Sequence, residues 1–272
     1  MVLNDVCKAC DIVIGNNFDN DYDRLYFSSN EPLDILFQNI SVKDKDVLSV
    51  LASSDHYFYS LYYGNRDVDV YDVNKLTKYY YYLRRWSILY NKSFYLPDNI
   101  FKSHKPIYDL LKKVSCQDEN EEEAYIFWNS YVKNVLSFDN AELFYVGSRR
   151  GELPDMNLLR EKVYCSHPTF YHIDLFQEVT LPKKYDLVIT SNIFEYGRSH
   201  SKRMITCRDN MNRILKDKGE IVGTHLIHGD EDSYLDGERD IYQKYFDYEE
   251  LPYYTQKFFH RKFPLGYRYI KK

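Results

Sequence analysis

The sequence encodes an α/β protein: a doubly wound open sheet with a mainly helical insertion and a C-terminal antiparallel hairpin. Three observations lead there. Short apolar, partly β-branched runs, the mark of strands buried on both faces, alternate with helical stretches from about residue 47 to residue 90. The alternation stops between about 91 and 168 and then resumes. The tail YTQKFFHRKFPLGYRYI shows aromatic alternation around Pro264-Leu265-Gly266, which predicts the hairpin. The expectation is one domain over residues 1–272, with an N-terminal arm at 1–30 and the insertion at about 91–168.

The elements follow in order. GNNFDNDYDR is polar and predicts a loop or loosely held arm. PLDILFQNI places Leu33, Leu36, Phe37 and Ile40 on one side of a helix. Val47–Leu51 predicts the first strand, closed by Ala52-Ser53-Ser54-Asp55. A helix through Tyr57, Phe58, Leu61 and Tyr62 then ends at Gly64. DVDVYDVN predicts a second strand ending in Asp72, and a Tyr-rich helix follows over about 75–90. PIYDLLKKVS and AYIFWNSYVKNVL predict helices of the insertion; the acidic run DENEEE opens the second of them as an exposed first turn that complements the macrodipole. TFYHIDLF predicts a strand ending at Asp174, and KYDLVITSNIFEY a strand running into a loop. RMITCRDNMNRIL predicts an amphipathic helix, and KDKGEIVGTHLI a turn feeding another buried strand.

Composition narrows the function classes. Apolar residues make up 44% of the chain and charged residues 28%, the profile of a soluble globular protein. Lys and Arg number 36 against 41 Asp and Glu, so the net charge of −5 supplies no global attraction to nucleic acid or anionic lipid. No nucleic-acid signature is present. No apolar run approaches the roughly 18–20 residues that span a bilayer. The N-terminus lacks the pattern of a signal peptide, and five scattered cysteines fit a reduced, cytoplasmic setting. Cys7-Lys8-Ala9-Cys10 has no second Cys pair to complete a zinc site, and His225 and His228 point to opposite faces of a strand, so no metal is expected. The outlying numbers are 29 tyrosines and only 10 glycines.

Right-handed crossovers place the carboxyl ends of the parallel strands on one rim, where ligands of such sheets bind. Two features meet there. One is the polar loop Ala52–His56, whose helix offers free backbone N–H groups. The other is Asp72 at the next strand tip, about 17–20 residues on, where a carboxylate can accept both hydroxyls of a ribose. The pair describes a nucleoside cofactor; the competing role for Asp72 is to cap the helix that follows. The loop reads A-S-S-D-H-Y, without G-x-G-x-x-G, so a pyrophosphate finds the backbone hard to approach and NAD is disfavoured. S-adenosylmethionine carries no phosphate. Its ammonium and carboxylate need polar neighbours, which Ser53, Ser54 and Asp55 can supply.

NMNRILKDKGEIVGTHLI resembles the helix–turn–strand segment of class I S-adenosylmethionine-dependent methyltransferases, with Asp217-Lys218-Gly219 keeping only the second glycine of that family's turn. Their Rossmann-like sheet also carries a terminal antiparallel hairpin. Residues from about Asn30 to Ile88, roughly a fifth of the chain, are similar to the start of the betaine-lipid synthase family. That family transfers the 3-amino-3-carboxypropyl group of S-adenosylmethionine to diacylglycerol. Its Glu-Asp-Pro is Glu31-Pro32 here, its Ser-x-Gly-Asp-Asn loop is matched by Ser53-Ser54-Asp55-His56, and its Val-Asp-x-Asn-Pro by Tyr71-Asp72-Val73-Asn74-Lys75.

The resemblance implies an S-adenosylmethionine-dependent transferase moving a methyl or aminocarboxypropyl group to a small-molecule or lipid-like acceptor. It implies that Ser53, Ser54 and Asp55 face the methionine part, that Asp72 holds the ribose, that Val73 and Asn74 flank the adenine, and that Asp174 and Leu175 lie near its amino group. Ser191 and Asn192 would border the sulfonium, with Glu195 as general base and Tyr196 orienting the acceptor. Glu195 and Tyr196 are also readable as simple surface or packing residues, and in-line displacement from a sulfonium can proceed by positioning alone. Two other readings stand beside this one: a non-catalytic cofactor-binding or scaffold protein of the same fold, motivated by the missing glycines, and an NAD-dependent oxidoreductase using Asp72 for the adenosine ribose.

Overall fold

The computed structural model describes residues 2–13, 25–26, 29, 31–64, 68–97, 100, 103–134, 143–145, 153, 155–191, 193, 201–224, 240–251, 253–256, 261–264 and 266–272. Helix α1 (Val2–Val13) and the two-residue strand β1 (Leu25–Tyr26) precede α2 (Leu33–Asn39), β2 (Val47–Val50), α3 (Asp55–Tyr63) and β3 (Val68–Asp72). Next come α4 (Leu76–Trp86), which ends in a π-helical turn at Ser87–Asn91, then α5 (Lys105–Leu111), α6 (Glu119–Asn134), β4 (Phe144–Tyr145) and α7 (Met156–Cys165). The chain continues through β5 (Phe170–His172), β6 (Tyr185–Ser191), α8 (Ser201–Ile214), β7 (Leu215–Thr224), β8 (Phe246–Glu250), β9 (Tyr253–Gln256), β10 (Arg261–Pro264) and β11 (Gly266–Lys271).

Seven strands form one sheet in the order β5-β3-β2-β6-β7-β11-β8. Ladders from β5 through β7 are parallel, and β11 runs antiparallel to both neighbours. This doubly wound, Rossmann-like sheet with a single inverted strand near one edge is the fold the sequence predicts. The chain winds outward from β2 in one direction through β3 to β5, and from β6 in the other through β7. The switch point, where a ligand crevice opens, therefore lies between β2 and β6.

Alternating residues of each strand feed two cores, because successive side chains leave opposite faces. Val47, Val70, Leu187, Ile189 and Val222 join the core made by α1 to α7. Leu48, Tyr71, Val188 and Ile221 join a second core with Met204, Cys207, Met211 and Ile214 of α8, spaced to form one helical stripe. The helix α4 is buried all round: Tyr79, Tyr80, Tyr81 and Tyr82 are each 5% exposed or less. On its outer side α6 covers it, with Phe127 stacked on Tyr79 at 4.2 Å and the Trp128 indole donating to the Tyr79 carbonyl. No described helix is long and apolar enough to cross a membrane.

Four details correct the sequence reading. The strand expected to end at Asp174 stops at His172, because Asp174 Oδ1 accepts the Phe176 N–H and turns the chain locally. The turn Asp217-Lys218-Gly219 lies inside β7: Leu215 pairs with Tyr185 and Glu220 with Leu187, so the residues between bulge out, with Lys218 at φ 60°. The terminal hairpin pairs Tyr253–Gln256 with Arg261–Pro264, so Pro264-Leu265-Gly266 is the passage from that ribbon into the main sheet, not its turn. The first turn of α6 is not wholly exposed. Glu121 is 3% exposed and forms an ion pair with Arg85 at 3.1 Å. An arginine on a buried helix needs such an acid.

Candidate active site

The loop from Leu51 to Ser54 leaves β2 at the switch point. It holds Ala52 at φ 40° and Ser54 at φ 69°, the left-handed region that favours glycine. Two anchors impose this path. Asp72 Oδ2 accepts the Ala52 N–H at 2.8 Å, and Arg84 Nη1 donates to the Ser53 carbonyl at 2.6 Å. The loop therefore reaches a glycine-type conformation without glycine.

Ser53 and Asp55 are consumed in building it. Arg84 Nη1 lies 2.5 Å from Asp55 Oδ1 and its Nη2 donates to the Phe94 carbonyl, while Ser53 Oγ and the Ser29 N–H donate to Asp55 Oδ2. The Arg84 guanidinium is fully buried, 4.8–5.3 Å from the ring centres of Phe58, Phe94 and Tyr95. Ser54 Oγ is buried beside this clamp with no hydrogen-bond partner.

Asp72 is partly buried at the tip of β3. Its second oxygen accepts the Asn74 N–H at 2.8 Å. Asn74 is itself buried and caps α4 through Leu76 N–H, whereas Val73 is 47% exposed next to the Asp72 carboxylate. Burial pushes the Asp72 carboxyl up to about 6, against the pull of its backbone hydrogen bonds. The folded state thus binds the Asp72 proton more tightly than the unfolded chain, so stability falls as pH rises from about 4 to about 6. Urea unfolding across that range should lose about 2–3 kcal/mol in the wild type relative to Asp72→Asn. Equal pH slopes would show that the carboxyl is not shielded.

Beyond β3, Asp174 is partly buried in its turn and Leu175 packs into the core under α8. Ser191 closes β6 with φ 55°. Its carbonyl accepts from the Tyr267 hydroxyl, and its own hydroxyl donates to Glu31. The expected site residues Asn192, Glu195 and Tyr196 lie outside the described residues.

Glu31 is the participant the sequence reading did not place in the site. It lies in the segment before α2 and is 4% exposed. Its carboxylate forms an ion pair with His56 Nε2 of α3 and takes hydrogen bonds from Ser191 and Ser29. Burial pushes Glu31 up, but the His56 charge and these hydrogen bonds outweigh it and hold the carboxyl below its ordinary value. Burial likewise pushes His56 down, and Glu31, with Asp55 behind it, outweighs that and raises it. His56 Nδ1 is buried without a partner. No local periodicity links residues 31, 56 and 191; only the strand order brings them together at the tips of β2 and β6.

The rim is thus rich in acceptors, with Asp72 at one end and Glu31 at the other. The two deeply buried arginines, Arg84 and Arg85, are spent on Asp55 and Glu121. Neither arginine is free to meet a pyrophosphate. A cationic nucleoside fits this set, because Asp72 suits ribose hydroxyls, Glu31 suits a positive charge, and Ser54 Oγ and His56 Nδ1 are buried polar atoms still lacking partners. Among the described residues no group of three or more His, Cys, Asp or Glu could hold a metal ion.

The sequence matches no family model and no curated protein. Among solved structures it is similar to the N-methyltransferase NodS from Bradyrhizobium japonicum WM9 in complex with S-adenosyl-L-homocysteine, at 10% identity and TM-score 0.44, covering 98% of each chain. It is also similar to a TehB-like SAM-dependent methyltransferase from Corynebacterium glutamicum, at 9% identity and TM-score 0.43, covering 100% of this chain and 98% of that one. Likenesses at these scores carry no argument, and the fold assignment rests on strand order and direction.

Proposed function

We propose that the protein is an S-adenosylmethionine-dependent transferase acting on a small-molecule or lipid-like acceptor. The observation that carries this is the rim itself: a partly buried Asp72 and a buried Glu31 flank the switch point, and the buried Arg84 and Arg85 are both paired with acids. Asp72 accepts the ribose hydroxyls with the lone pairs its two backbone bonds leave free. Val73 offers an apolar edge to the adenine, with Asp174 near its amino group. Bound, the cofactor would supply an electrophilic carbon on sulfur; the chain orients it, excludes water and places the acceptor in line. Glu195 is the base for an acceptor hydroxyl or amine, with Tyr196 beside it, and Ser191 and Asn192 line the approach. The helices of 91–168 form the lobe that selects the acceptor.

Titration calorimetry with S-adenosylmethionine and S-adenosylhomocysteine tests the reading. Both should bind, and Asp72→Ala should weaken each by about 10–100-fold through loss of a charged acceptor. Unchanged affinity in a folded variant rejects the ribose assignment. The product identifies the group moved: methyl transfer leaves S-adenosylhomocysteine, and aminocarboxypropyl transfer leaves 5′-methylthioadenosine.

A second reading is favoured by one observation. Ser53 and Asp55, where the methionine part was expected, are each 1% exposed or less and are bonded within the loop. A non-catalytic scaffold of the same fold would show this, and failure of both ligands to bind selects it.

A further inference from the structure

Glu31 is a buried carboxylate from outside the sheet that is held over the tip of β6 by Ser191 and tied to α3 by His56. Among the described residues the His56 ring is the cation paired with it. The other charges near that ring are already committed, since Asp55 is paired with Arg84. The far nitrogen of the same ring, Nδ1, is buried and bonded to nothing. A structural ion pair would be expected to satisfy both ring nitrogens. Here one side of the imidazole faces its acid and the other is left open at the first turn of the helix that follows the cofactor loop. From Asp72 on β3 to the tips of β6 and β7 is two to three strand spacings, roughly 10–14 Å. That is a fitting span from a ribose held at one end to the cationic end of an adenosyl sulfonium amino acid at the other.

We propose that Glu31 is the counter-ion for the cofactor's positive charge, and that His56 occupies that role in the free protein and gives it up by releasing a proton when the cofactor binds. The inference rests on the cofactor reading above. The charges balance. Before binding, the crevice holds a carboxylate and an imidazolium. After binding, it holds a carboxylate and the ligand cation, and the His56 proton has passed to solvent. The exchange follows because two positive charges against one carboxylate, at side chains 4% exposed or less, repel each other. Of the two cations, imidazolium is the one that can lose its charge near neutral pH. Glu31 favours the protonated ring and the incoming cation removes that advantage, so the ring then relaxes to neutral.

Calorimetry of S-adenosylmethionine binding at pH 7 in phosphate, HEPES and Tris, whose ionisation enthalpies differ, counts the protons directly. Release on the order of one proton per ligand is expected. S-adenosylhomocysteine is the second arm, because it keeps the ammonium and lacks the sulfonium. Release with the methionine form alone assigns Glu31 to the sulfonium, and release with both assigns it to the ammonium. Binding of S-adenosylmethionine with no proton released overturns this inference and leaves the cofactor reading standing, while no binding of either ligand sinks both. His56→Gln should bind without release. Nitrogen-15 NMR of the histidine-labelled wild type gives the same answer without a variant: the His56 ring should pass from imidazolium to neutral as the ligand is added, and an unchanged ring would refute the exchange.

Discussion

Replacing Arg84 by Met should destabilise the protein by about 3–5 kcal/mol, the range for removing one partner of a buried ion pair. Asp55 would keep its charge in a site 1% exposed, with the Ser53 hydroxyl and the Ser29 N–H as its remaining donors among the described residues. The carbonyls of Ser53 and Phe94 would lose their donor as well. Met fills much of the arginine's volume, so the loss measures charge and hydrogen bonding more than an empty cavity. In a chain of 272 residues this corresponds to a midpoint lower by roughly 10 °C. The double variant Arg84→Met, Asp55→Asn removes both charges and should recover part of the loss. Additive effects in that double-mutant cycle would show that the two side chains are not coupled. Because Arg84 also holds the Ser53 carbonyl, cofactor affinity in the variant should fall with loop order.

Gly223→Ala should cost about 3 kcal/mol, at the upper end for overpacking. A Cβ there would run into the Tyr267 hydroxyl on one side and the Ser191 carbonyl oxygen on the other. Neither can yield cheaply. The Ser191 oxygen is backbone at the tip of β6, and the Tyr267 hydroxyl is bonded to Thr190 Oγ1 at 3.0 Å as well as to Ser191. The methyl group must therefore push β7 away from β6 or displace the tyrosine. Urea unfolding should show a lower midpoint with an unchanged slope. Ser191 carries one of the hydrogen bonds to Glu31, so cofactor binding should weaken too. A folded variant within 1 kcal/mol of wild type would mean that the two strands separate with little cost.

The sheet could be read from the chain because its signals are local. Val47–Val50, Val68–Asp72 and Tyr185–Ser191 are apolar runs bounded by polar turns, and the inward stripe of α8 has a single period. Asp72 and the loop after β2 could be placed for the same reason, since each is the end of a strand. What the sequence hid is what depends on distant partners. Arg84 and Arg85 sit side by side on a Tyr-rich helix and show no sign of their acids until α3 and α6 pack against them. Two arginines among buried tyrosines were nonetheless a usable clue, because a buried guanidinium demands a carboxylate. Glu31 and His56 lie 25 residues apart, and nothing in the two short segments that hold them shows that the side chains pair. The missing glycines misled in a different way. Ala52 and Ser54 take the left-handed conformation themselves, so a rule that equates that geometry with glycine passes over them.

The inverted strand β11 bears on how the molecule is made. It lies between β7 and β8, though it is synthesised after both. A nascent chain that has emerged through Glu250 holds β7 with one bare edge and β8 with nothing to join. The parallel half can assemble on the ribosome, but the sheet closes only when Gly266–Lys271 threads into the waiting gap. Stalling or truncation just before that segment would leave an adhesive edge of hydrogen-bonding groups, and such products should be found with chaperones or in aggregates.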